Sequence, residues 1–367
     1  MQMENFAPIM FGGLVLTMLI GFPVAFSLAF LGLACGLFAI SMDWFPVSFM
    51  SNLPLNIFGI LSNDLLLAIP FFTFMGAILE KCGLAEDMLD SMGQLFGTVR
   101  GGLGYSVIIV GFILGAITGT VAGQVIAMAL ISLPVMIRYG YNMRYATGVL
   151  AASGTITQLV PPSLVLVVMA DQLGRSVGDM YKGAWGPSML QVAIFALYTF
   201  ALGLIKPEHV PGIPKEARTA DGFHLWMKCL RGIIPSAFLI FAVLGSMGGL
   251  PGINTAIATP TEAGAMGCVG ALVLAAMHKR LDKDLIWEAM HSTMRLTAMV
   301  VFILIGSRVF SMVFQGVDGA KWVEHLLTGL PGGQVGFLVV VNIFIFFLAF
   351  FLDFFEIAFI ILPMLGP

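Results

Sequence analysis

The sequence predicts an all-α polytopic membrane protein whose helices are broken at depth. Three observations predict it. First, of 367 residues 59% are hydrophobic and only 10% charged, where a soluble domain carries about a quarter charged residues. The mean hydropathy is +1.00. Second, the uncharged runs are long: residues 5–42, 101–137, 145–170, 183–205, 232–261 and 326–352 hold no Asp, Glu, Lys or Arg. A membrane span needs roughly 20 apolar residues, so several runs exceed one span and must hold a turn inside the membrane or two spans back to back. Third, Gly, Pro and Thr cluster inside these runs as well as between them, where they interrupt helices.

The elements follow in order. Residues 7–40 read as one long or two short spans, with Gly21 and Pro23 as the break. Residues 55–79 are a span interrupted at Asp64 and Pro70, and Pro54 suits a helix start. Residues 80–92 form a short charged surface helix. Residues 101–132 and 143–168 are Gly/Thr-broken segments, and 188–205 is an ordinary span. A polar loop with Pro207, Pro211 and Pro214 follows, with an amphipathic lead-in up to Arg231. Further spans cover 233–246, 255–277, 294–313 and 336–352. Residues 281–291 read as a separate interfacial helix. The segment from Asp353 begins another element.

Orientation follows from cations near the ends of spans. Lys206, Lys215, Arg218, Lys228 and Arg231 fill one loop, and Lys279, Arg280 and Lys283 another. Two spans separate them, so both face the cytoplasm. The turn at 247–254 between those spans carries no charge. Arg138 and Arg144 bracket a third basic turn on the same side.

Composition also excludes classes of function. A net charge of −3 offers no nucleic-acid surface. Cys35, Cys82, Cys229 and Cys268 are isolated, without metal or redox spacing. No Walker A motif is present. Met1–Asn5 lacks Lys and Arg and the apolar run is long, so the first span is expected to stay as an uncleaved anchor.

Three segments break the helical rules within apolar territory. One runs through Gly115, Thr118, Gly119, Thr120, Gly123 and Gln124; one through Ser153, Gly154, Thr155, Thr157, Gln158, Pro161, Pro162 and Ser163; one through Thr259, Pro260, Thr261, Glu262 and Gly264. Unwound backbone frees carbonyls, which in lipid must be satisfied or line a cavity or bind an ion. Secondary transporters hold ions and substrate at such breaks, with half-helix N-termini facing an anion. Small residues also permit close helix packing. The double proline tips the second segment toward a site, because it removes two donors in mid-segment. Ionisable residues at depth are Asp64, Asp171, Glu262, Arg308, Asp353 and Glu356, each costly there. Asp171 and Arg308 read as interfacial. Glu262, between Thr-Pro-Thr and Ala, reads as functional or as a helix cap. Asp353 and Glu356 would share a helical face, as a cation site or as paired carboxylates with one protonated. An intramembrane hydrolase would need Ser/His or paired Asp at depth, and no His lies in the broken segments.

At these residues the chain resembles the large, DctM-like membrane subunit of tripartite ATP-independent periplasmic (TRAP) transporters. The anchors are Leu66-Leu67-Ala68-Ile69-Pro70-Phe71-Phe72, Ala116-Ile117-Thr118-Gly119-Thr120, Ala151-Ala152-Ser153-Gly154-Thr155-Ile156, Pro161-Pro162-Ser163, Ala258-Thr259-Pro260-Thr261-Glu262-Ala263 and Phe351-Leu352-Asp353. The resemblance implies an inverted-repeat, elevator-type transporter with re-entrant hairpins and discontinuous helices. It implies Na⁺-coupled uptake of an organic acid, a carboxylate, across the bacterial inner membrane, with no cofactor besides the coupling ion. The implied partners are a small membrane subunit, a periplasmic substrate-binding protein and the lipid bilayer. An elevator-type Na⁺/anion symporter acting without a binding protein is the alternative.

Carried onto this chain, Thr118, Gly119 and Thr120 would form the first hairpin tip, and Ser153, Gly154, Thr155, Pro161 and Pro162 the broken helix. Thr259, Thr261, Glu262 and Asp353 would be their second-half counterparts. Na⁺ would bind near Thr118, Gly119, Ser153 and Thr259. The organisation would be N-terminal spans and scaffold (1–100), a first transport half (101–205), a cytoplasmic loop (206–231) and an incomplete second half (232–367). The family continues past the position of Pro367, so the chain is expected to be C-terminally truncated. It departs from the family at Thr118 and at Gly123-Gln124, where Ser and Ala-Asp are usual.

Overall fold

The structure is a computed structural model that describes residues 6–97, 99–118, 121–213, 223–252, 255–328, 333–350, 352 and 354–365. Among these residues every regular element is helical. In chain order they are α1 (Phe6–Leu19), α2 (Val24–Ser41), α3 (Val47–Met50), α4 (Leu53–Leu61), α5 (Ala68–Lys81), α6 (Leu84–Phe96), α7 (Gly102–Thr118), α8 (Val121–Arg138) and α9 (Met143–Thr155). Then follow α10 (Leu164–Gln172), α11 (Val177–Ile205), α12 (Phe223–Ser246), α13 (Pro260–Met277), α14 (Lys283–Gly316), α15 (Gly319–Thr328), α16 (Gly333–Leu348), α17 (Phe354–Glu356) and α18 (Leu362–Leu365).

Four described helices are long and apolar enough to cross a membrane: α2, α11, α13 and α14. Their flanks carry large apolar side chains in the open, such as Phe30, Leu197, Val269 and Phe302. Such exposure is untenable in water but ordinary against lipid.

The predicted breaks before α2 and α5 form for the predicted reasons. The chain turns between α1 and α2 at Gly21, whose φ of +91° suits glycine, and Pro23 is the N-cap of α2. Pro54 stands in the first turn of α4. Asn63 Oδ1 accepts the Leu65 amide at 3.0 Å, starting the 3₁₀ turn Asp64–Leu67 that leads into α5. The interruption expected at Pro70 does not form: Pro70 is the third residue of the continuous helix α5, in the first turn where no helical donor is needed.

Three further expectations are corrected. The lead-in before Arg231 and the span after it are one helix, α12, with Pro235 inside. Membrane helices tolerate such a proline because neighbours re-satisfy the freed carbonyl. The separate interfacial helix at 281–291 and the span at 294–313 are likewise one helix, α14, of 34 residues. Between them the sequence offers only Ser292 and Thr293, and Thr293 donates back to the Ala289 carbonyl at 2.8 Å, so nothing stops the helix. The span expected from Ser188 starts earlier, at Val177. Burial overrides local propensity there: Tyr181 is fully enclosed, and Trp185 Nε1 donates to the Gly249 carbonyl at 3.2 Å.

The chain forms two compact units. One comprises Met1–Leu66, Gln172–Gly174 and Leu296–Pro367; the other comprises Leu67–Asp171 and Arg175–Arg295. The first unit has its core among Phe6, Met10, Leu14, Leu28, Phe310 and Ile360. There α2 lies against the later part of α14. A Cβ on Gly32 would come within 2.9 Å of the Phe310 amide nitrogen, and one on Gly36 within 3.1 Å of Val313 Cγ2. Gly32 and Gly36 are one helical turn apart, the small-xxx-small spacing of membrane helix contacts. Between α17 and α18 the helix widens into a π turn, Ile357–Ile361, and Ser307 Oγ donates to the Phe359 carbonyl there at 2.6 Å.

In the second unit α5 runs along α13, with Cys268 Sγ donating to the Phe71 carbonyl at 3.0 Å. Helix α7 packs against α5, α6, α8, α9 and α11. It is the centre on which the candidate site is built.

Candidate functional site

Helices α7 and α8 form a helical hairpin. Their sequence dictates it: two apolar stretches flank Gly119 and Thr120, and 17 or 18 residues per arm suffice to enter the membrane and return. Gln124 clamps the two arms. It is 1% exposed, and its Nε2 donates to the Gly111 carbonyl of α7 at 2.7 Å. A buried amide in apolar surroundings costs several kcal/mol if unpaired, so both its ends must find partners. The second partner is Thr157, whose hydroxyl donates to Gln124 Oε1 and also approaches the Gly154 carbonyl at 2.6 Å.

Thr157 lies where α9 gives way. The helix ends at Thr155, tightens into the 3₁₀ turn Ile156–Gln158 and stops at Pro161-Pro162, a cis bond. Helix α10 then starts at Leu164. Two serines satisfy the carbonyls that the break releases. Ser163 Oγ donates to the Gln158 carbonyl at 2.7 Å and accepts the Val165 amide at 3.2 Å, so one hydroxyl closes the break and caps α10. Ser188 Oγ, fully buried on α11, approaches the Leu159 carbonyl at 2.9 Å and the Ala184 carbonyl at 2.7 Å.

The hairpin lies directly on the broken helix. A Cβ on Gly111 would stand 2.9 Å from Ser153 Cβ, and one on Gly115 would stand 3.0 Å from Thr157 Cα. Gly111 and Gly115 on α7 therefore face Ser153 and Thr157, each pair four residues apart, as a backbone-to-backbone seam. On the other arm, a Cβ on Gly154 would collide with Val125 of α8. The break is held from both arms.

The residues expected from sequence distribute as follows. Ser153 is fully enclosed, with Oγ 3.0 Å from the Leu150 carbonyl. Thr155 is exposed; its hydroxyl donates to the Ala152 carbonyl at 2.7 Å and accepts from Gln191 Nε2 at 3.4 Å. Hydroxyls that donate to a carbonyl keep lone pairs able to face a cation. Gly154, Pro161 and Pro162 are buried within the same cluster. Gly119, Thr120 and Asp353 lie outside the described residues, as does the side chain of Thr118.

At the third segment the capping role of Glu262 is plain. Thr259 is the N-cap of α13: its Oγ1 accepts the Glu262 amide at 3.3 Å, and Glu262 Oε2 accepts the Thr259 amide at 2.8 Å. The Thr259 hydroxyl adds a bond to that carboxylate at 2.9 Å. Pro260 at N1 completes the motif. Thr261 is half-buried in the same first turn. Glu356 is buried at the end of α17.

The family described as the Tripartite ATP-independent periplasmic transporter, DctM component, matches residues 11–367. The chain belongs to this family. DctM proteins are permease subunits of tripartite transporters and not enzymes, and this one is a multi-pass membrane protein. It is 27% identical over 330 residues to the C4-dicarboxylate TRAP transporter large permease protein DctM of Pseudomonas aeruginosa, covering 90% of this chain and 74% of that one. It is 26% identical to the 2,3-diketo-L-gulonate TRAP transporter large permease protein YiaN of Escherichia coli, covering 95% and 78%. The sialic acid TRAP transporter large permease protein SiaM of Vibrio cholerae is 25% identical, with 95% and 77% covered. The fold is similar to that of the YdaH transporter of Alcanivorax borkumensis, at a TM-score of 0.56 and 14% identity over 86% of this chain and 72% of that one.

The expectation that the chain is a TRAP large subunit and no enzyme thus holds. Sequence reading missed the Gln124–Thr157 link and the roles of Ser163 and Ser188. The available signal was Gln124 itself, an amide in a run of 37 residues without charge, which has to be paired.

Proposed function

We propose that this DctM protein couples Na⁺ entry to uptake of an organic acid across the bacterial inner membrane. A periplasmic binding protein would deliver the substrate, and a small membrane subunit would complete the complex. The observation that carries the reading is the hairpin α7–α8 clamped onto the broken helix α9–α10 through Gln124 and Thr157. Interrupted helices held by a rigid frame present carbonyls and hydroxyls where a Na⁺ ion can replace its water shell. The last turn of α9, Ser153–Thr155, offers such groups, and Thr118–Thr120 would add theirs. The N-termini of α8 and α10 add amide donors and the positive ends of helix dipoles, suited to a carboxylate. Thr259, Thr261 and Asp353 would contribute from the second half.

Relatives named for C4-dicarboxylate, 2,3-diketo-L-gulonate and sialic acid support an organic acid as the substrate class. One charge crossing 100 mV yields about 2.3 kcal/mol, so one or two Na⁺ ions suffice for useful accumulation. The test is uptake into proteoliposomes with the small subunit, the binding protein and candidate acids. Uptake that needs both an inward Na⁺ gradient and the binding protein supports the reading. Uptake indifferent to the binding protein would replace it by a stand-alone Na⁺/anion symporter, and uptake indifferent to Na⁺ would remove the coupling ion.

A further inference from the structure

Lys81 at the end of α5 and the first turns of α14 border an open surface pocket of about 400 Å³, lined by Lys81, Trp287, Glu288, His291, Ser292 and Arg295. It belongs to neither the hairpin nor the broken helix. We propose that it binds the phosphate headgroup of an anionic phospholipid of the cytoplasmic leaflet. The inference is independent of substrate and coupling ion.

The helix itself arranges the donors. Leu285 and Ala289 turn inward and are buried. Trp287, His291 and Arg295 follow one another four residues apart on the outer side, all exposed. Phosphate is best held by several converging N–H and O–H groups. Arg295 supplies a guanidinium fork, His291 a ring N–H and Ser292 a hydroxyl. Lys81 reaches in from α5 but is bound to Glu288 at 2.6 Å. Those two charges cancel, and Arg295 provides the net positive charge.

Position and flanking chemistry point to a lipid. Arg280 Nη1 donates to the Cys82 carbonyl at 3.0 Å, which sets the basic turn Lys279-Arg280 beside the end of α5. Positive charge of this kind marks the cytoplasmic side, where anionic lipids concentrate and basic pockets between helices bind their headgroups. Trp287 is 71% exposed, as indoles are at the headgroup level. Beside it Met290 and Met294, 54% and 61% exposed, form an adjoining apolar strip. A soluble phosphate has no use for that strip; an acyl chain does.

The test uses the full chain in neutral detergent, titrated with phosphatidylglycerol brominated on its acyl chains. The readout is the part of the tryptophan quenching that Trp287→Phe removes. Wild type should half-saturate at a lower lipid fraction with brominated phosphatidylglycerol than with brominated phosphatidylcholine. Arg295→Gln should weaken the former by roughly fivefold, the worth of one cation near an anionic surface, and Arg295→Lys should restore most of it. Glu288→Gln should tighten binding by freeing Lys81. Equal quenching by the two lipids overturns the proposal. So does a Lys283→Gln loss as large as that of Arg295→Gln, because the attraction is then diffuse. Displacement of the lipid by millimolar sn-glycerol 3-phosphate would make the pocket a soluble-phosphate site and also overturn the assignment.

Discussion

The Gln124 amide nitrogen donates to the Gly111 carbonyl at 2.7 Å, so the two arms of the hairpin are fixed to each other. Because Gln124 Oε1 also accepts from Thr157, the same side chain ties the hairpin to the broken helix. Gln124→Ala removes both bonds at a wholly buried position. The expected cost is about 1–3 kcal/mol, seen as a lower melting temperature in detergent. Unchanged melting would show that the clamp contributes nothing.

Gly154 abuts Val125 so closely that a Cβ has no room. Gly154→Ala should therefore destabilise by about 1–3 kcal/mol, the usual cost of overpacking. Adding Val125→Ala removes the obstructing methyl and should recover most of the loss. A double variant no better than Gly154→Ala alone would place the cost in the α9 backbone and not in this contact.

Thr259 and Glu262 satisfy each other at the start of α13. Thr259→Ala should lower stability by about 0.5–2 kcal/mol, and Thr259→Ser should not. Glu262→Gln should keep the Na⁺ concentration for half-maximal uptake unchanged. A large shift in that concentration would make Glu262 an ion ligand as well as a cap.

Ser188 supplies the donor beside the Leu159 carbonyl in the break. Ser188→Ala leaves that part-buried acceptor short of a partner, at about 1 kcal/mol. Its transport effect should exceed its stability effect, because Leu159 stands two residues before Pro161 in the proposed ion-binding segment. Uptake that falls only in proportion to the folded fraction would assign Ser188 a purely structural role.

Much of this architecture is legible in the sequence because punctuation in lipid is expensive. Gly21 with Pro23, and Pro161 with Pro162, mark turns that nothing else could explain. The continuity of α12 through Pro235 and of α14 through Ser292 was not legible. Whether a weak breaker stops a helix depends on neighbours that satisfy its carbonyls, and neighbours are not local information. The same limit hid the Gln124–Thr157 pair: the two residues lie 33 positions apart, and only the fold of the hairpin onto α9 brings them together. Glu262 shows the reverse. Its Thr-Pro-x-Glu setting allowed a cap or a ligand, and the geometry displays the cap.

The contact of Gly32 and Gly36 with Val309 and Val313 has a consequence for biogenesis. These glycines belong to the first stretch of their unit, which ends at Leu66, while their partners belong to the stretch that begins at Leu296. At about 5–20 residues per second, the ribosome delivers the second stretch on the order of ten seconds or more after the first. Throughout that interval α2 sits in the bilayer with Gly32 uncovered and Gly36 met only by Met50 of the same stretch, the helix that fills the groove not yet made. The groove is filled only once α14 has been made, so an arrest before Phe310 leaves a helix with an adhesive face open to any small-residue neighbour, and to the quality-control proteases that survey the membrane.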